Sequence, residues 1–183
     1  MAADPRDDAA LDAALIARWQ QGDERAAREL VDRHASAVAR FVSSLGARDE
    51  SDEVTQDTFV RAFGALHTFR ADSALRTWLF TIARRLVLDR RRSERRRGEQ
   101  VEVTEQDVVT TDNPLDSLVA DETRRRLLQA VDRLTKTQKE VFTLRVTEGL
   151  SYKEIADITG STEGAARVHY HHAMRSVKEF LDA

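Results

Sequence analysis

Helical periodicity runs almost the whole length of this 183-residue chain and lapses once, between Gly98 and about Asp116. The chain has two prolines, Pro5 and Pro114, and seven glycines, and neither type falls between Ala65 and Arg97. Abundant Ala, Leu, Arg and Glu favour helix throughout. The sequence therefore predicts an all-α fold of two small helical domains joined by a flexible acidic linker. Residues 1–10 are expected as a disordered tail, 11–97 as the first domain, 98–117 as the linker and 118–183 as the second domain.

Local signals divide the first domain into four helices. Gly22-Asp23 punctuates the first, and Asp23 suits the N-cap of the second. Ala27, Leu30, Val31, His34, Val38, Phe41, Val42 and Leu45 form its apolar stripe, and Gly46 closes it. A third helix is predicted from about Asp49 to Leu66, with Val54, Phe59, Ala62, Phe63 and Leu66 inward. On the fourth, Leu75, Trp78, Leu79, Ile82, Ala83 and Leu86 make one face, leaving Thr77, Phe80, Thr81 and Arg84 opposite. In the second domain, Leu127, Leu128, Val131 and Leu134 form a stripe. Ser151 with Glu154 is a capping box, Gly160 permits a tight turn, and Ser161 is placed to cap a last helix bearing Ala166, Tyr170, Ala173, Val177 and Leu181. Two helices joined by so short a turn are a helix-turn-helix.

The net charge of −3 conceals a strong local dipole. Eight arginines lie between Arg84 and Arg97 against Asp89 and Glu94, and six acids with no Lys or Arg follow from Gly98 to Asp116. The arginine run, Arg91 and Arg92 included, exceeds what a helix C-terminus needs and suits phosphate contacts. Phe80 beside Arg84 allows two readings: packing under another helix, or stacking single-stranded bases. The loop Phe69-Arg70-Ala71-Asp72-Ser73 offers donors and acceptors for an extruded base. Asp52, Glu53, Gln56 and Asp57 give the third helix an acidic-polar face suited to a basic protein partner. The helix after the turn offers Thr162, Glu163, Arg167, Val168, His171 and His172 to a major groove, with Ser161 at its start.

Other functions lack residues to carry them. The chain has no cysteine, which excludes disulfides, thiolate zinc sites and a Cys nucleophile. His169, His171 and His172 lack an acid at the helical spacing a metal site needs, so no metal and no cofactor are expected. No triad or phosphate loop argues for an enzyme. No apolar run approaches the roughly 18 residues of a membrane span, and the N-terminus lacks a secretory signal. The protein is expected in the cytoplasm without membrane insertion.

Taken together, the motifs resemble the small, extracytoplasmic-function type of bacterial sigma factor. The first half carries Asp52-Glu53-Val54-Thr55-Gln56-Asp57-Thr58-Phe59, then Phe69-Arg70 to Ser73, then Thr77-Trp78-Leu79-Phe80-Thr81-Ile82-Ala83-Arg84-Arg85, in the order of the family's region two. The second half, with Glu148-Gly149-Leu150-Ser151-Tyr152-Lys153-Glu154-Ile155-Ala156, is similar to region four. The resemblance implies that Asp52, Glu53, Gln56 and Asp57 bind the clamp helices of core RNA polymerase. It implies that Phe69, Arg70, Asp72, Ser73, Phe80, Arg84 and Arg85 meet the minus-ten promoter element, a base of the melted non-template strand entering the loop. The second domain is implied to read the minus-thirty-five element as duplex, and a separate anti-sigma factor to control the protein.

Two departures from the family pattern are specific to this chain. The family commonly has Asn where Arg85 stands, and its recognition helix usually reads Gly-Thr-Val followed by basic residues, against Gly164-Ala165-Ala166-Arg167-Val168-His169-Tyr170-His171-His172 here. A rival reading is a stand-alone helix-turn-helix regulator, which leaves the Trp78 helix and the acidic third helix without work. A remoter one is an anti-sigma decoy or scaffold. Because histidine is charged only when protonated, the last helix is expected to anchor phosphates weakly. His171→Arg with His172→Arg should tighten upstream-element binding and steepen its salt dependence by about one to two units of log K per log salt, measured by titration at several salt concentrations.

Overall fold

The structure, a computed structural model, describes residues 5–98 and 118–182. It divides into two compact units, the first taking the residues up to Leu88 and the short segment Asp157–Gly160, the second the remaining described residues. Every regular element among the described residues is helical, and no strand occurs among them.

Up to Leu88 the first unit comprises α1 (Pro5–Gln20), α2 (Glu24–Ser44), α3 (Ser51–Ala65), a 3₁₀ turn (Leu66–Thr68) and the larger part of α4 (Leu75–Arg96). Helix α1 overturns part of the expected tail: residues 5–10 are helical, and only 1–4 lie outside the described residues. Proline is tolerated at a first helical position, and Asp8 ties the segment down through Arg33 on α2 at 3.0 Å. Asp23 caps α2 as expected, its Oδ1 accepting from the Arg25 amide at 3.0 Å.

Helix α2 is the centre of this unit, with α1 and α3 packed directly on it. It buries Ala26, Leu30, His34, Ala37, Val38, Phe41 and Val42. Helix α4 closes the core by setting Phe80 on Phe41, ring centroids 4.9 Å apart. Leu15, Val54, Leu79, Ala83 and Val87 are also buried.

One polar cluster sits inside this apolar packing. His34 and Asp12 are both buried, and His34 Nε2 lies 3.0 Å from each carboxylate oxygen. An ionised carboxylate only accepts, so Nε2 is the donor. Arg33 Nε also donates to Asp12 Oδ1 at 3.0 Å. Burial alone raises the Asp12 pKa, but the hydrogen bonds and charges of His34 and Arg33 outweigh it and hold the carboxyl below its ordinary value.

The second unit comprises α5 (Leu118–Asp132), α6 (Lys136–Phe142), a π-helical turn (Thr143–Thr147), α7 (Tyr152–Thr159) and α8 (Glu163–Asp182). Helix α8 packs on α5 and α6, around Ala130, Leu134, Phe142, Ala173 and Val177. Leu127, expected on the inward stripe of α5, is exposed, and Ala130 takes the buried place. A capping box that the sequence reading passed over starts α6: Thr135 Oγ1 accepts from the Gln138 amide, and Gln138 Oε1 accepts from the Thr135 amide. The expected linker, apart from Gly98, lies outside the described residues.

The Asp12 cluster has a pH signature. Its folded pKa is depressed, so its contribution to stability is fully present above the ordinary carboxylate value near about 4 and is lost as pH falls through the lower folded value. Asp12→Asn should cost about 2 kcal/mol at neutral pH. In urea titrations of the full chain, the variant's stability should fall less steeply than wild type below about pH 4.

Candidate nucleic-acid interface

Short-range chemistry builds the turn between α7 and α8. The Ser151–Glu154 box is present: Glu154 Oε2 accepts from the Ser151 amide at 2.8 Å, and Ser151 Oγ accepts from the Glu154 amide at 3.2 Å. Leu150, Ile155, Ala156 and Ile158 are buried. Gly160 takes φ +67°, a conformation that an L side chain would strain. The cap of α8 falls one residue later than expected. Thr162, not Ser161, supplies the oxygen that accepts from the Ala165 amide at 3.1 Å, because Ser161 is still part of the turn.

Burial of Ala166, Ala173 and Val177 fixes the rotation of α8 about its axis. The opposite side therefore carries Thr162, Glu163, Arg167, Val168, His171 and His172, all exposed, with Ser161 exposed at the entrance. Val168 keeps 53% of its surface. His169 and Tyr170 are half-buried on the flank.

In the first unit the loop before α4 is braced at one end. Phe69 is half-buried with its ring 5.2 Å from that of Trp78. Arg70 and Asp72 are exposed, and Ser73 is half-buried. Between them Ala71 sits at φ +57°, which costs a residue with a Cβ about 1–2 kcal/mol. The loop thus holds a locally disfavoured shape at its tip.

Along α4, Arg85 and Arg92 are exposed, and Arg84 and Arg91 half-buried. The pair of Arg92 with Asp89 at 3.8 Å is solvated on both sides and adds little stability. Phe80 corrects the sequence reading. It is fully buried, so of its two readings core packing holds and base stacking does not. Trp78, Leu79 and Phe80 are three consecutive apolar residues, and the inward sector runs through Leu79, Phe80, Ala83, Leu86 and Val87, leaving Trp78 and Ile82 at its edge.

The acidic face of α3 borders a groove. Asp52, Glu53 and Gln56 are exposed and Asp57 is half-buried. With α2, this helix encloses a cavity of about 520 Å³ lined by Val31, Ala35, Ala39, Phe59, Val60 and Phe63, with Asp52, Thr55 and Gln56 among the polar groups. Val60 is 64% exposed. Thr55 lines the groove with its Oγ1 buried and without a hydrogen-bond partner among the described residues. Sequence reading found the acids but missed the groove. Its one signal was Val60, an apolar residue off the inward stripe of α3.

Among the described residues, no three His, Cys, Asp or Glu side chains are grouped to hold a metal, and no helix is long and apolar enough to cross a membrane.

These surfaces fall within two matched sequence families. The model for Sigma-70 region 2 matches residues 30–97, and that for Sigma-70, region 4 matches residues 124–177. The ECF RNA polymerase sigma-E factor of Haemophilus influenzae is 30% identical over 165 residues, covering 85% of this chain and 87% of that one. Among solved structures, the sigma factor RpoE in complex with the anti-sigma factor NepR from Bartonella quintana is similar at a TM-score of 0.70 and 25% identity, over 85% of this chain and 96% of that one. CnrH in complex with the cytosolic domain of CnrY is similar at a TM-score of 0.65 and 27% identity, over 96% and 97% of the two chains.

The position of Phe80 yields a test. Phe80→Ala should lower the stability of the full chain by about 3–5 kcal/mol, measured by urea unfolding. A base-stacking role would instead lower DNA affinity while leaving stability unchanged.

Proposed function

The chain belongs to the ECF family of RNA polymerase sigma factors, which give RNA polymerase its promoter recognition and are not themselves catalysts, and we propose that its two units divide that work between two promoter elements. The second unit reads the upstream element as duplex through Thr162, Glu163, Arg167, Val168, His171 and His172. The observation that carries this reading is the sidedness of α8, with alanines and Val177 buried and every one of those six residues exposed.

The first unit captures the downstream element as it melts. Extruding a base costs a few kcal/mol, which stacking and hydrogen bonds in a receiving loop offset. Phe69, Arg70, Asp72 and Ser73 form that loop, and Arg84, Arg85, Arg91 and Arg92 hold flanking phosphates. Core RNA polymerase docks a basic helix on Asp52, Glu53, Gln56 and Asp57, with an apolar side chain in the adjoining groove. The two similar solved structures are both complexes, the sigma factor RpoE with the anti-sigma factor NepR and CnrH with the cytosolic domain of CnrY. That supports a separate anti-sigma factor for this chain too. The work is done in the cytoplasm, where polymerase and promoter meet.

Run-off transcription with purified core RNA polymerase, on a template library randomised upstream of the start, tests the function. Transcripts should appear only when the chain is added, from templates sharing two spaced elements. A stand-alone regulator would instead footprint duplex without polymerase and start no transcript. On a template so recovered, Phe69→Ala and Ser73→Ala should each reduce open-complex formation, read by permanganate reactivity, about ten-fold or more, while closed-complex binding changes less.

A further inference from the structure

The ring of Tyr152 carries contacts that promoter reading alone does not account for. The Arg145 guanidinium lies over it, 4.8 Å from the ring centroid, and the Arg167 guanidinium lies over it at 5.2 Å. Tyr170 meets the same ring edge-on at 5.9 Å. Two elements thus converge on this one side chain of α7: the π-helical turn through Arg145, and α8 through Arg167 and Tyr170.

The two arginines differ in what remains available to a ligand. Arg145 is half-buried, and its Nη1 donates to the Leu150 carbonyl at 2.7 Å, so it is committed to the turn. Arg167 is exposed. A guanidinium laid on an aromatic face keeps its in-plane N–H groups pointing outward, and its rotamer freedom is reduced before any ligand arrives. Tyr152 is itself well fixed. It opens α7 directly after Ser151, whose box with Glu154 sets the backbone, and after Leu150, which is buried.

We propose that Tyr152 is a positioning residue that holds Arg167 flat and aimed, so that its fork addresses a guanine edge of the upstream element. Bidentate contact with guanine O6 and N7 depends on the orientation of the guanidinium plane. A ring that sets this plane in advance converts a flexible cation into a base-specific reader. Arg145 secures the ring from the turn. This inference rests on the reading of α8 as the duplex-reading helix.

The test uses holoenzyme reconstituted from the full chain and core RNA polymerase, selecting duplexes from a pool randomised over the upstream element. Wild type and Tyr152→Phe, which keeps the ring, should enrich the same motif. Arg167→Ala should flatten the preference at one G·C pair. Tyr152→Leu should weaken preference at that same pair about three- to five-fold, leave the other positions unchanged, and have no further effect in the Arg167→Ala background. Equal weakening at all positions, an added loss in the Arg167→Ala background, or unchanged preference at the pair would each show that Tyr152 merely packs, and would overturn the proposal. So would an Arg167→Ala variant that flattens no pair, while a wild-type motif still stood in support of promoter reading. Recovery of no wild-type motif would sink both.

Discussion

The stack of Phe80 on Phe41 is the contact on which the first unit's outer surfaces depend. A helix with apolar residues at three successive positions has no unique rotation about its axis until one of them is committed to the core. Once Phe80 is buried against α2, Trp78 is left at the edge, where its ring braces Phe69 and hence the loop. The same rotation sends Arg85 and Arg92 to solvent. One aromatic contact therefore sets both a loop's anchor and the direction of a cationic ridge.

The second unit solves the same problem with small side chains. Ala166 and Ala173 are fully buried on α8 and let neighbouring helices approach closely. With those positions inward, the exposed side follows from helical geometry, four residues per turn-and-a-bit carrying Glu163 and Arg167 onto one face. Helix α8 can thus serve both the core of its unit and an exposed polar surface.

Much of this was legible in the sequence because it is local. Asp23, the Ser151–Glu154 box and Gly160 act on backbone within a few residues of themselves, and each does what its residue type and position suggest. What the sequence concealed depends on partners distant along the chain. Asp12 and His34 are 22 positions apart, and a histidine in an apolar stripe gives no sign of which acid it meets. Phe80 offered two directions, and only the position of α2 decided between them. Ser161 and Thr162 are adjacent hydroxyls, and which one caps α8 turned on a single residue of turn length. The groove beside α3 needed two helices to exist, so only the stray Val60 hinted at it. The Tyr152 cluster likewise joins three elements and leaves no linear motif.

The lone hydroxyl of Thr55 gives the groove a chemical preference. A buried oxygen without a partner carries a desolvation penalty of about 1–3 kcal/mol, which an occupant presenting a hydrogen-bonding atom at that depth removes and a purely hydrocarbon occupant leaves in place. Greasy small molecules of matching volume are therefore poor competitors for this cleft. An inhibitor shaped to fill it would need a polar atom reaching the threonine as much as bulk against Val60 and Phe63.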